Sequence, residues 1–210
     1  MLPSERYPDP AHLRQLAAEL KRRYPEPAGE YIAVVDVHRQ RLHLLERGRL
    51  VESYAISTAT RGIGNREGSE QTPVGAFRVV EKYGENAPIG TVFKGRRDTG
   101  EVAQILSDPN DPAENDLVTT RILRLGGLQP GFNLGGDVDT FSRYIYIHGT
   151  PEEGRIGTPA SHGCVRMRNA EVVDLFARLP QDSLVCIVPG DASIAGIPGP
   201  APETEPVKKQ

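Results

Sequence analysis

The chain of 210 residues is long enough for one domain with a substantial core. Its formal net charge of −3, with Lys and Arg scattered along it, excludes the basic footprint of a nucleic-acid binder. No segment approaches the ~18 uninterrupted apolar residues of a membrane helix, and 22 glycines with 18 prolines favour a β-rich fold with many turns.

Residues 1–30 read as an amphipathic helix packed on the domain. Asp9-Pro10 supplies a cap and a first-turn proline, Leu13, Leu16, Ala17 and Leu20 recur at helical spacing, and Arg22 and Arg23 suit the negative end of the dipole. Charges at Glu5, Arg6, Asp9, Arg14 and Glu19 break this stretch too often for a secretory leader, and two cysteines make no disulfide framework. Both points set the expectation of a cytoplasmic chain. Residues 31–190 carry the strand signals. Ile32–Val37, Leu42–Glu46 and Leu50–Ser57 form a meander, Ala76–Val80 follows, and Val118–Leu125 resumes the sheet. Between them, residues 83–116 are rich in Gly, Asp, Asn and Pro, with strand-like pieces at Thr91–Phe93 and Ala103–Leu106. Such a segment is either a lid over a site or a surface insertion. Leu128–Gly136 reads as a loop and Arg143–His148 as a strand ending in a histidine. Asn169 caps a helix through Leu179 with a stripe of Val172, Val173, Phe176 and Leu179, and Leu184–Val188 is the closing strand. Residues 191–210 are Pro-, Glu- and Lys-rich, the composition of a disordered tail.

The chemistry gathers in one stretch: Ser161-His162-Gly163-Cys164-Val165-Arg166, preceded by Tyr146-Ile147-His148-Gly149. A free thiol is mostly protonated near neutral pH, and a nearby imidazole can take its proton and leave a nucleophile for a carbonyl. Cys164 is the candidate nucleophile and His148 the candidate general base. They are 16 positions apart, and Pro151, Gly154, Gly157 and Pro159 let the chain fold back between them. Gly163 allows a sharp turn, and the N–H groups of Gly163 and Cys164 are candidate oxyanion donors. Arg166 has two readings, a fork on a substrate carboxylate or an ion pair inside the loop. Asn169 reads as the helix cap or as a substrate contact. Ser161 shapes the loop, and with Tyr146 it completes the set of candidate substrate-binding residues. Cys186, in an apolar strand, reads as core, and His12, His38 and His43 as surface or packing residues.

His148, the spacer and Ser161-His162-Gly163-Cys164-Val165-Arg166, together with Thr72-Pro73-Val74-Gly75-Ala76-Phe77, resemble the YkuD-type L,D-transpeptidase family over residues 31–189. The resemblance implies a mainly β, sandwich-like fold with a few flanking helices. It implies that the carbonyl of Gly149 orients the His148 ring and that His162 belongs to the site, as pocket wall or as a ring that tunes the thiolate. The implied chemistry is acyl transfer through a Cys164 thioester at the bond before the terminal D-alanine of a peptidoglycan stem tetrapeptide or muropeptide. Water as acceptor gives L,D-carboxypeptidation, as in murein recycling, and an amine gives L,D-transpeptidation in the cell wall. The expected cytoplasmic location tilts the reading to hydrolysis. No cofactor and no metal are expected, since His148, His162 and Cys164 lack zinc-motif spacing. A non-catalytic module that binds wall peptides is the remaining rival. Nothing in the pattern sets an oligomeric state.

Overall fold

The computed structural model describes residues 10–25, 29–111, 113 and 116–190. The Asp9 cap and the 191–210 tail lie outside the described residues. The strands are β1 (Tyr31–Asp36), β2 (Arg41–Glu46), β3 (Arg49–Ser57), β4 (Gly75–Tyr83), β5 (Thr91–Lys94), β6 (Arg97–Val102), β7 (Val118–Gly127), β8 (Tyr146–Gly149), β9 (Val165–Met167) and β10 (Leu184–Val188). Two α-helices accompany them, α1 (Pro10–Arg23) and α2 (Asn169–Arg178).

Side chains alternate between the faces of a strand, and here that alternation separates two cores. Ala33 and Val35 of β1, Val185 and Ile187 of β10, and Phe77 and Val79 of β4 enter a central cluster completed by Val172, Leu175, Phe176 and Leu179 at α2. Their sequence neighbours Ile32, Val34, Leu184, Cys186 and Ala76 face the other way and meet Leu13, Leu16, Ala17 and Leu20 of α1. Each such leucine contributes about 1.5–3 kcal/mol by leaving water. The outer face would be an exposed apolar patch without α1.

The strands run in the order β4-β10-β1-β2-β3-β9-β8-β7-β5-β6, and β4 also pairs with β7. The fold is therefore mainly β, as expected. The two layers of the expected sandwich belong to one sheet that bends round and closes between β4 and β7, with the β5–β6 hairpin added beyond. Three local expectations need correction. Ala103–Leu106 is no strand; Leu106 instead exchanges backbone hydrogen bonds with Pro151 and Gly154. β6 takes its place in the sheet. Arg143 and Tyr144 belong to a turn with Tyr144 at φ 55°, so β8 starts only at Tyr146. Leu175, not Val173, lies on the buried stripe of α2.

His43 of β2 is fully buried. Its Nδ1 lies 2.7 Å from Ser53 Oγ, and among the described residues its Nε2 has no partner. Burial pushes the imidazole down to about 4; Asp36 opposes this, and Arg41 and Arg39 reinforce it. An unfolded histidine takes its proton near pH 6.5. Between that value and about 4 the unfolded chain holds more protons than the folded one, so stability falls as pH drops through this window. By pH 5 the loss from His43 is about 2 kcal/mol. Urea unfolding at pH 7 and pH 5 checks this: His43→Leu should shrink the difference in unfolding free energy, and an equal difference would show that His43 does not titrate there.

Candidate active site

β8 and β9 lie side by side and parallel, with Ile147 opposite Val165 and His148 opposite Arg166. Ile147, Val165 and Met167 face the central core. The period-2 alternation then sends Tyr146, His148, Cys164 and Arg166 to the opposite face. Cys164, just before β9, falls beside Tyr146, whose backbone N–H points at Sγ at 3.3 Å. Sγ also lies 3.6 Å from the Tyr144 carbonyl.

His148 is buried, and its Nδ1 lies 2.7 Å from Gly149 O. A carbonyl only accepts, so Nδ1 carries the hydrogen and Nε2 presents a bare lone pair. Glycine is required at position 149 because a Cβ there would come within 2.6 Å of Asn169 Oδ1 and 2.8 Å of Thr119 O. Burial holds the His148 imidazole down at about 4, with Arg166 adding to the effect and Asp116 and the Gly149 carbonyl opposing it. Burial likewise pushes the Cys164 thiol up to about 12, against the pull of the Tyr146 N–H, Arg166 and Arg143. The residue keeps partial exposure, so a substrate can still reach it. The resting pair is a neutral thiol and a neutral imidazole.

The loop before the cysteine is braced from both sides. Ser161 is buried; its Oγ donates to Cys164 O at 2.6 Å and accepts from Gly163 N–H at 3.2 Å. Gly163 sits at φ 134°, and a Cβ there would press on Ile145 at 3.3 Å. Ala59 forms a bridge with Ser161, and the Ala59 N–H donates to Thr72 Oγ1 at 2.9 Å. The Thr72-Pro73 stretch is thus tied through Ala59 to the cysteine loop.

Several candidate roles change on this geometry. Arg166 is buried between two carboxylates, with Nη1 at 2.6 Å from Glu152 and Nη2 at 2.5 Å from Asp116. Its fork is spent inside the protein, which removes the substrate-clamp reading. Asn169 is buried in the first turn of α2, and Arg168 holds the cap position. Asn169 Nδ2 donates to Thr150 O and Glu153, and Oδ1 accepts from Thr119 and Thr120, so it fastens the end of β8 rather than reaching a ligand. Ser161 is closed to substrate, and the Gly163 N–H is engaged by its hydroxyl. Tyr146 is largely buried and meets the site through its backbone N–H. His162 is exposed, with Nδ1 at 2.7 Å from Asp116. Among the described residues no group of His, Cys, Asp or Glu is arranged to hold a metal ion.

Asp116, Glu152, Glu153 and Arg143 escaped the sequence reading because no local pattern ties them to the cysteine. Arg143 donates to Gly64 O and Gln71 O and pins the segment under Gly163. A groove of about 280 Å³ is lined by Glu67, Glu70, Arg143, Ile145, His162 and Tyr144, the last of which turns its carbonyl to the Cys164 sulfur. The segment over residues 83–116 does approach the site: Phe93 of β5 belongs to the apolar cluster against which Cys164 packs, and Asp116 joins His162 to Arg166.

The model of the YkuD family, the L,D-transpeptidase catalytic domain, matches residues 30–189, and the chain belongs to that family. A putative L,D-transpeptidase YkuD from Bacillus licheniformis is 26% identical over 160 residues, 76% of this chain and 66% of that protein. A putative L,D-transpeptidase YqjB from Bacillus subtilis is 40% identical over 73 residues, 35% of this chain and 40% of the relative. The chain thus spans less than two thirds of either relative. An L,D-transpeptidase from Mycobacterium smegmatis is similar in structure with a TM-score of 0.47 at 18% identity, covering 76% of this chain and 58% of that one. No helix among the described residues is long and apolar enough to cross a membrane.

The buried arginine gives a direct check. Arg166→Met strands Glu152 and Asp116, and losing one member of a buried ion pair costs about 3–5 kcal/mol. Urea unfolding should show a loss of this size. An unchanged stability combined with a raised KM would restore the substrate-clamp role.

Proposed function

We propose that the chain performs cysteine-dependent acyl transfer at the L,D bond before the terminal D-alanine of a peptidoglycan stem tetrapeptide. One observation carries the reading: His148 is pinned through Nδ1 to Gly149 O, which leaves Nε2 as a base on the strand face that also bears Cys164. In the mechanism, Nε2 takes the thiol proton as Sγ attacks the carbonyl carbon of the third stem residue. The Cys164 N–H is the candidate donor to the tetrahedral oxyanion, since the Gly163 N–H is held by Ser161. Collapse breaks the C–N bond, His148 returns the proton to the departing D-alanine nitrogen, and a thioester remains. Water then gives a tripeptide acid and regenerates the thiol, whereas an amine from a second stem or a free D-amino acid gives a new peptide bond. Hydrolysis is the outcome to test first.

Mass spectrometry of the protein incubated with a disaccharide-tetrapeptide separates these fates. A product lighter by one D-alanine is expected, falling by at least about 10³-fold with Cys164→Ala. A cross-linked dimer, or exchange for an added D-amino acid, assigns transpeptidation instead. Binding without either product would leave a peptide-binding module.

The neutral resting pair also fixes the pH response. Base catalysis needs His148 unprotonated, so kcat/KM should fall only as pH drops toward about 4 and stay level through neutral pH. Alkylation of Cys164 by iodoacetamide at pH 7.5 should be slower than for a free thiol, because the thiol is held up near 12. An acid limb near pH 6.5 with fast alkylation would mean a preformed thiolate–imidazolium pair.

A further inference from the structure

The acyl-transfer reading requires a substrate with carboxylates: the free terminus of D-alanine, and in some stems a side-chain carboxylate on the third residue. Arg166 is unavailable to them, and Arg143 is committed to backbone carbonyls. Arg124 reaches the Tyr144 ring but is paired with Glu81, so among the described residues the arginine near the site that has no ion-pair partner is Arg96. It sits in the two-residue turn that joins β5 to β6, between Lys94 and Arg97, which pair. Both turn residues have positive φ, Gly95 at 57° and Arg96 at 67°. Turns of this kind favour Asn-Gly, and a side chain at the second position is strained. The chain nevertheless places a long cationic side chain there, and it turns back over the site.

Two contacts tie it to the sulfur. Arg96 Nη1 lies 3.3 Å from the Tyr146 hydroxyl, and the N–H of the same tyrosine points at Cys164 Sγ. The guanidinium also lies 5.4 Å from the ring centre of Tyr144, whose carbonyl faces Sγ and whose half-exposed ring lines the groove. Among the described residues no carboxylate comes within ion-pairing distance of Arg96. Glu81 of β4 feels the charge of Arg96 but is hydrogen-bonded to Arg124 at 2.9 Å and to the Tyr83 hydroxyl at 2.8 Å. The fork is half-exposed, its partners are phenols and a ring face, and it stands one tyrosine's length from the thiol.

We propose that Arg96, held against Tyr146 and the groove-lining Tyr144, forms a carboxylate-binding subsite near Cys164, so that the β5–β6 hairpin selects stem peptides by their charge. The inference rests on the acyl-transfer reading for its ligand. The geometry is compatible with either the terminal or the side-chain carboxylate.

The test uses Arg96→Gly, because glycine suits a positive φ and should leave thermal stability unchanged or higher. Three peptides are compared: a tetrapeptide with diaminopimelate at the third position, its D-alanine amide, and the analogue with lysine there. Arg96→Gly should lower kcat/KM on the first by about 10- to 100-fold, mainly through KM, as expected for a charge-assisted hydrogen bond. The peptide on which wild type and variant become equal names the carboxylate: the amide for the terminus, the lysine analogue for the side chain. Equal losses on all three peptides, or none on any, overturn the subsite. Dissociation constants for the same peptides, measured on Cys164→Ala with and without Arg96→Gly, keep the two proposals apart. If wild type turns over none of the peptides, the acyl-transfer reading fails, and a charge-dependent difference in binding still decides the subsite.

Discussion

Everything at the site depends on the parallel register of β8 and β9. A parallel neighbour cannot be reached by a tight turn, so the chain must leave at Thr150, cross over and re-enter at Cys164. That excursion has little regular structure, and buried charge holds it. Glu152 from its start and Asp116 from another segment close on Arg166 from its end, while Glu153 and Thr150 are tied to Asn169. Arg166 and Glu152 lie out of water, so the attraction between them is strong and the loss of either leaves an uncompensated buried charge, while Asp116 completes the cluster from its solvent side.

The same burial sets the electronic state of the site. Low polarity disfavours both a thiolate and an imidazolium, so it pushes the two groups apart in opposite directions and leaves both neutral. A single carboxylate, Asp116, raises both values, and Arg166 lowers both. Since these two residues form a pair, their fields at Cys164 and His148 offset one another. The pair therefore secures the backbone while adding little net field at Cys164 and His148.

Much of this was legible in the residues. The apolar runs of β1 and β10 are patterns that burial on both faces imposes, and Leu184–Val188 is readable to its ends. The Cys164–His148 set stood out because thiol, imidazole and glycine fall together in sequence. What failed has physical reasons. Aromatic and β-branched composition made Arg143–Tyr144 look like strand, but a left-handed backbone at Tyr144 turns the chain there. β6 carries no strand signal because Asp98, Gly100 and Glu101 are poor strand formers, and an edge position tolerates them. Arg166 and Asn169 look like surface residues in isolation. Their burial follows only from register and from Glu152, Glu153 and Asp116, which no spacing rule connects to them.

Closure of the sheet through the β4–β7 pairing has a further consequence. A curved sheet that ends on itself offers no backbone groups along that seam for another chain to pair with. β6 ends the strand order, and its six residues are all exposed. It carries Arg97, Asp98 and Glu101 and is bent at Gly100, which has φ 78°. Mixed charge and a kink make it a poor template for intermolecular strand addition. Among the described residues the strand order thus ends in a short ribbon whose charge and kink, rather than a covering element, guard it against polymerisation.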